Sequence, residues 1–325
     1  MQIKNPAFVA LCAAAAALAP AAAAAQDYPN KPVKILIGFA PGGPTDLIGR
    51  IISDHMSKAL GQPFVVEAKP GASGIVSGQA TIAAPADGYT LNLTAPTMLV
   101  AAPAMYTNMA FDPAKVFVPI TPLVKSTVVL EVGASLPPKT YQEFIPWAKA
   151  NTGKLNHGSP GVGTTPHLAA QLFLGRIGFE SQHIPYRGTG PHMQGMMQKE
   201  IQWSFNSPSG SVGLLRGGHV RLLAVAEDKR WPEFPDVPTL GELGMKDAVW
   251  HSWFGLIAAT GTPKPIIDRL AAESAKAWED PENVKRVRAI GFVPWTTSPE
   301  EMGKFVAAER ERWTAVIKAN NIKAE

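Results

Sequence analysis

Apolar residues recur along this chain in two alternating rhythms. Val33 to Phe39 is an apolar run broken only by Lys34, which suits a buried strand, and Leu47, Ile48, Ile51, Ile52, Met56 and Leu60 follow at helical spacing until Gly61. A second strand at Pro63 to Glu67, a helix over about Gly74 to Ala84 and a strand at Tyr89 to Leu93 continue the theme. Strand, helix and strand in succession build βαβ units, so the pattern predicts an α/β fold of mainly parallel sheets with helices on both faces. The rhythm restarts at Lys125 to Val132 and runs through a helix at Tyr141 to Ala150, a short strand at Leu155 to Gly158, and a helix whose apolar face is Leu168, Leu172 and Phe173. Strands at Gln182 to Ile184, Ile201 to Phe205 and Val220 to Ala226 follow, with a helix over about Pro191 to Gln198 and a short helix between them. Lys229 to Gly244 is a proline-rich loop, and helices are expected at about 263 to 279, 281 to 290 and 298 to 319.

The first residues break this rhythm. Lys4, an apolar stretch from Phe8 to about Ala19 and the run Ala23-Ala24-Ala25 read as a secretory leader, residues 1–25, with an A-x-A cleavage site. Removal of the leader would leave about 300 residues, enough for two ordinary domains. It would also remove Cys12, the single cysteine, so the exported chain would hold no disulfide and no thiolate metal site. A lipid anchor at Cys12 is the competing reading, against which Leu11 stands where a small residue is expected. No later segment offers about 18 uninterrupted apolar residues. The net charge of +4 is spread along the chain, which suits an anionic small molecule and gives no argument for nucleic acid.

Chemistry concentrates in two glycine-proline loops, Gly38 to Asp46 and Ser159 to His167, each between a strand-like run and a helix. Backbone N–H groups at a helix N-terminus lack intrahelical partners and lie at the positive end of the helix dipole, so each loop is a candidate anion site. Thr45 and Thr164 offer hydroxyls, and Gly42, Gly43 and Gly163 permit close backbone approach. No nucleophile elbow, zinc signature, phosphate loop or complete dinucleotide fingerprint is present, so no cofactor is implied. Five of the seven histidines cluster around the second loop without metal-ligand spacing, so no metal site is expected. His167 reads as a packing or capping residue, whereas His157 is either a core histidine or one that faces the cleft. Arg187 is either a carboxylate clamp or a solvated arginine. Asp46 has three structural readings: orienting the loop, pairing with Arg50, or capping the backbone. The aromatic group Trp250, Trp253 and Phe254 reads as core or domain-interface packing ahead of a ligand wall.

Ordered motifs tie these features together: Tyr28-Pro29-Asn30-Lys31-Pro32, Pro41 to Asp46, Leu60-Gly61-Gln62-Pro63, Ala86 to Thr90, Ser159 to His167, Pro185-Tyr186-Arg187-Gly188, Asp236 to Thr239, Trp253-Phe254-Gly255 and Gly261-Thr262-Pro263. In these the chain resembles the periplasmic solute-binding receptors of tripartite tricarboxylate transporters, the Bug receptors. The resemblance implies a two-domain clamshell of the periplasmic binding protein type, with residues 26–125 and 227–325 in one domain and 126–226 in the other. It implies a carboxylate gripped between the two loops, by Gly42, Gly43, Thr45 and Asp46 on one side and Ser159, Gly163 and Thr164 on the other. Loops carrying Thr94 and Thr97, Arg187, and Asn206 would surround the rest of the ligand, together with His157. The chain departs from the family pattern at Asn156-His157-Gly158, where many relatives have Asn-Tyr-Ala, and at Asn206-Ser207, where many carry an aspartate. Loss of that acidic partner for an amino group favours an anionic ligand, with a second carboxylate or an aromatic ring near His157, over an amino acid. The expected role is a monomeric, non-enzymatic receptor that delivers a di- or tricarboxylate or aromatic carboxylate to cognate membrane permease subunits. Alternatives are a receptor that signals to a sensor protein, and a hydrolase built on Ser159 and His157.

Overall fold

The computed structural model describes residues 28–231 and 234–323. The expected leader at 1–25 lies outside them. Strand β1 (Val33–Ile37) passes through the first loop into helix α1 (Pro44–Leu60), which buries Ile48, Ile51, Ile52 and Met56. Gly61 ends the helix at φ 72°, a left-handed conformation that costs glycine little because it has no Cβ. Strands β2 (Phe64–Ala68) and β3 (Thr90–Thr94) both pair parallel with β1, and α2 (Ile75–Ile82) lies between them in sequence. A π-helical turn at Thr97–Ala101 runs into α3 (Ala102–Met105), and α4 (Pro113–Val116) precedes the long strand β4 (Phe117–Thr127).

After Val128 the chain enters a second sheet. It contributes β5 (Val129–Gly133), α5 (Tyr141–Ala150), β6 (Leu155–Ser159), α6 (Thr165–Ile177) and β7 (Ser181–Pro185) in turn. Then come α7 (Thr189–Met197), β8 (Trp203–Asn206), α8 (Pro208–Arg216) and β9 (Val220–Val225). Strand β10 (His251–Ala259) returns to the first sheet, followed by α9 (Lys264–Lys276), α10 (Pro281–Ala289), the short β11 (Val293–Pro294) and α11 (Pro299–Ala319). Ser298 and Glu301 start α11 with a reciprocal capping box.

The strand orders are β11-β4-β10-β3-β1-β2 and β7-β6-β8-β5-β9. Both sheets are mixed around a parallel majority, with β1, β2, β3 and β4 running one way in the first and β6, β7, β8 and β9 one way in the second. In the first, β10 runs antiparallel to β3 and β4, and in the second β5 runs antiparallel to β8 and β9. The cause is the path of the chain: β4 leaves the first sheet and β10 re-enters it, so the two must run in opposite directions. At the crossing, Ala226 N–H donates to the Val128 carbonyl at 2.9 Å and Trp250 N–H to the Ala226 carbonyl at 3.1 Å.

One apolar cluster fills the α1, α9 and α10 side of the first sheet, including Ile35, Ile51, Leu256, Leu270 and Phe292. A larger one runs through both sheets, joining Met98, Phe117 and Trp253 to Leu130, Trp203, Phe205 and Trp250. No helix among the described residues is long and apolar enough to cross a membrane.

Candidate functional site

The segments that follow β1, β3, β6, β7 and β8 enclose a cavity of about 390 Å³. Residues beyond the carboxyl ends of strands are where open α/β sheets present loops and helix N-termini. Here the N-terminal turns of α1, α6 and α7 and the N-cap of α8, Ser207, all line the cavity. The N-caps Gly43, Thr164 and Gly188 place no side-chain hydrogen bond on their own helices.

The first loop turns at Gly42, φ 86°. Gly42 N–H donates to Asp46 Oδ2 at 3.1 Å, and Arg50 Nε lies 3.1 Å from both Asp46 oxygens. Burial alone would raise the Asp46 pKa, but the Arg50 bond and the Gly42 N–H outweigh it and hold the carboxyl below its usual range. Leu47 N–H takes the Gly43 carbonyl, so Thr45 and Asp46 carry first-turn N–H groups with no helical acceptor, and Pro44 has no N–H to satisfy.

The second loop repeats this plan with different parts. Thr164 Oγ1 donates to the Gly161 carbonyl at 2.7 Å, Leu168 N–H takes the Thr164 carbonyl, and Pro166 occupies the first turn. Gly163 N–H donates to His167 Nδ1 at 3.1 Å. The loop also meets the segment between β2 and α2, where Ser73 Oγ donates to the Val162 carbonyl at 3.3 Å.

Hydroxyls of Thr45, Thr97, Thr164, Thr165, Thr189, Ser207 and Ser252 are carried by lining residues, and Phe39, Phe254 and Phe292 supply aromatic wall. Phe254 and Phe292 pack at 5.4 Å between ring centroids. Arg187 is the one charged residue in the lining among the described residues, and it is exposed. Positive helix ends, hydroxyls and a single arginine, with no carboxylate among them, make a site for an anion.

Residues 48–322 match the model of the tripartite tricarboxylate transporter family receptor, TctC. The chain belongs to this family. A Cupriavidus necator relative known as the UPF0065 protein in the gbd 5' region is 36% identical over 95% of this chain and 94% of its own length. The protein BugT of Bordetella pertussis is 29% identical over 92% of each chain. Among solved structures, the R. palustris protein Rpa4515 with adipate is 32% identical with a TM-score of 0.86, covering 91% of this chain and 99% of its own. MatC of Rhodopseudomonas palustris with bound malate is 30% identical with a TM-score of 0.82, covering 89% and 100%. These neighbours, and the periplasmic binding protein BugD at 29% identity over 92% of this chain and 100% of its own, with a TM-score of 0.83, share its fold of two helix-flanked sheets.

Within this TctC-family receptor, Gly42, Gly43, Thr45, Thr97, Thr164 and Arg187 line the cavity. Six other expected residues do not. Asp46 holds the first loop from behind, through Gly42 and Arg50. Thr94 is buried in β3, with Oγ1 bonded to the Ala95 carbonyl. Gly163 packs on Met105 and Thr97, and its N–H is taken by His167. Asn206 is fully buried, its amide donating to Glu131 Oε1 at 3.1 Å and its oxygen accepting the Ser207 N–H at 2.9 Å. Ser159 is fully buried, with Oγ 2.7 Å from His183 Nε2.

His157 is a core histidine and not a cleft residue. It stacks between Trp203 and His183, at 4.9 and 5.1 Å, with Nδ1 3.1 Å from Ser181 Oγ. The imidazole on Ser159 is thus His183, so the Ser159 and His157 pair considered from sequence is not formed. Desolvation, reinforced by neighbouring imidazoles, pushes His157 down to about 2 and His167 and His192 to about 3, and desolvation takes His183 to about 4. The four rings are neutral at ordinary pH.

Sequence reasoning did not nominate Phe39, Ser252 or Phe292, and it favoured packing for Phe254. Phe254 begins to face the cavity only because β10 returns beside β3, a pairing with no local signal.

Proposed function

We propose that this TctC-family receptor captures an organic carboxylate, a di- or tricarboxylate or an aromatic carboxylate, and delivers it to the membrane subunits of its transporter. The observation that carries this reading is the convergence of four helix N-termini on one cavity with no acidic side chain in its lining. A carboxylate placed there meets oriented backbone dipoles that need no reorganisation, in a setting where water is largely displaced. Phe39, Phe254 and Phe292 suit an apolar or aromatic ligand body. A zwitterionic amino acid would bring a cation to a site with no carboxylate to pair it among the described lining residues. The adipate- and malate-bound neighbours hold ligands of the expected class.

In this reading the leader is cleaved, the mature chain works in the periplasm as a monomer, and it performs no catalysis. The two lobes, 26–125 with 227–325 and 126–226, close on the ligand about the crossings at Val128 and Ala226. Closure gives the permease a shape that reports occupancy. Thermal-shift measurement with a panel of carboxylates tests it. Ligand at about 100 times Kd adds about 2.7 kcal/mol of stability, so the cognate carboxylate should raise Tm by roughly 5 °C or more. The corresponding uncharged amides should not. A panel of di-, tri- and aromatic carboxylates that leaves Tm unmoved at millimolar concentration would sink the reading.

A further inference from the structure

His167 sits one turn beyond Gly163, in the first turn of α6, and is 4% exposed. Because its Nδ1 accepts the Gly163 N–H at 3.1 Å, the neutral ring carries its proton on Nε2. The same ring stacks on His183, with centroids 4.2 Å and planes 20° apart. His183 Nε2 in turn meets Ser159 Oγ, which accepts the Gly161 N–H at 3.2 Å. Two stacked imidazoles therefore hold both ends of the loop from 159 to 163 from behind, while Pro160 and Thr164 face the cavity.

Gly163 takes a left-handed φ of 76°, and a Cβ there would come within 2.3 Å of Met105 Cε. A small polar cavity of about 230 Å³ lies behind the loop, lined by His167, His183, Gln171, Asn320, Asn321 and Lys323 with apolar neighbours. Burial keeps the His167 ring neutral, so its acceptor nitrogen stays available throughout the neutral pH range.

We propose that His167 is a positioning residue for ligand capture: its Nδ1 fixes the Gly163 peptide, and thereby the angle at which the N-terminus of α6 meets the ligand anion. This rests on the carboxylate reading above. The essential property is the acceptor nitrogen and not the bulk of the ring, and two substitutions separate them. His167→Asn keeps an acceptor at the place of Nδ1 and loses the stacking ring, whereas His167→Phe keeps the ring and loses the acceptor.

The test measures affinity for adipate and malate by calorimetry, with Tm recorded for each variant. His167→Asn should stay within about threefold of the unmodified chain, and His167→Phe should weaken binding roughly tenfold, the scale of one lost backbone hydrogen bond. The reverse order, or equal losses in both, overturns the proposal. Hydrogen exchange of the Gly163 amide in ligand-free protein gives an independent reading. Exchange should be slow in the unmodified chain and in His167→Asn, and roughly tenfold faster in His167→Phe. Should neither acid bind the unmodified chain, the affinities are measured with whichever carboxylate of the panel raises Tm; should none do so, the ligand class fails while the exchange result still decides the role of His167. An unprotected Gly163 amide in the unmodified chain overturns the role outright.

Discussion

Gly43 is the N-cap of α1, whereas Gly163 stands one residue before the N-cap of α6, and a side chain would meet different obstacles at each. Gly43 has an ordinary φ of −86°, and the nearest atom to an added Cβ is the Ala40 carbonyl oxygen at 3.8 Å. Gly43→Val should therefore fold normally and place its methyl groups at the rim of the cavity. We expect Tm within about 2 °C of the parent and at least a roughly tenfold loss of carboxylate affinity, the cost of displacing an anion from its donors. Unchanged affinity would show that the ligand does not approach this turn. At the same scale, the buried imidazoles fix the acid response. In the unfolded chain they titrate near 6.5, against about 2 to 4 in the folded one. The unfolded state thus binds more protons in that window, so stability is intact above pH 6.5 and is lost as pH falls toward 4, by up to about 1.4 kcal/mol per pH unit per histidine. His192 is fully buried, and neither of its ring nitrogens has a hydrogen-bond partner among the described residues. Chemical denaturation between pH 7.5 and 4.5 should give a shallower slope for His192→Leu, and an identical slope would exclude this histidine as a source. The loops were legible because glycine, proline and threonine mark a helix start locally. The face taken by His157, Ser159 and Asn206 was not, because neighbouring strands decide which side of a strand packs on Trp203 and which meets the ligand.

Elements show the same division between local and distant causes. Helix α5 spans Tyr141–Ala150 as its periodicity predicts, and α1 gains a turn at its start because Pro44 fits the first helical position. Besides the two-residue β11, the strands that sequence reasoning missed are β10 and the first half of β4. Strand β10 is buried throughout from Trp253 to Ala259, the first half of β4 shows no period-two pattern, and Pro119 and Pro122 interrupt β4. These prolines sit opposite Ile257 and Gly255, beside the register shifts of the pair, where a missing N–H is tolerated. At the other end of the site, α1 depends on Asp46, which joins the Gly42 turn to Arg50. Asp46→Ala should lower stability by about 1 kcal/mol at neutral pH. The Asp46 carboxyl is held below 3.8 in the fold, so its contribution is present above that value and is lost as pH falls through the folded pKa. A denaturation midpoint equal to that of the parent at pH 7 would mean that the turn stands without it.

At the scale of the molecule, two sheets and two crossings would suggest two independent halves, but the core argues otherwise. Trp250 is 1% exposed just before β10, packs on Phe205 of the second sheet at 5.4 Å, and belongs to the cluster that reaches Trp253 and Phe117 in the first. Apolar surface shared in this way is exposed by unfolding either half, so neither should melt alone. Calorimetry should show one transition whose calorimetric and van 't Hoff enthalpies agree. Trp250→Ala should lower stability by about 3–5 kcal/mol, as for other buried tryptophans, and split the transition by weakening the link. Two resolved transitions in the unmodified chain would defeat this argument. The shared core also limits how the proposed clamshell can open. Motion that keeps Trp250 packed must bend the backbone near Val128 and Ala226, where the chain passes between the sheets, and must leave the cluster intact. A variant that splits the transition should therefore bind its carboxylate more weakly even though Trp250 does not line the cavity.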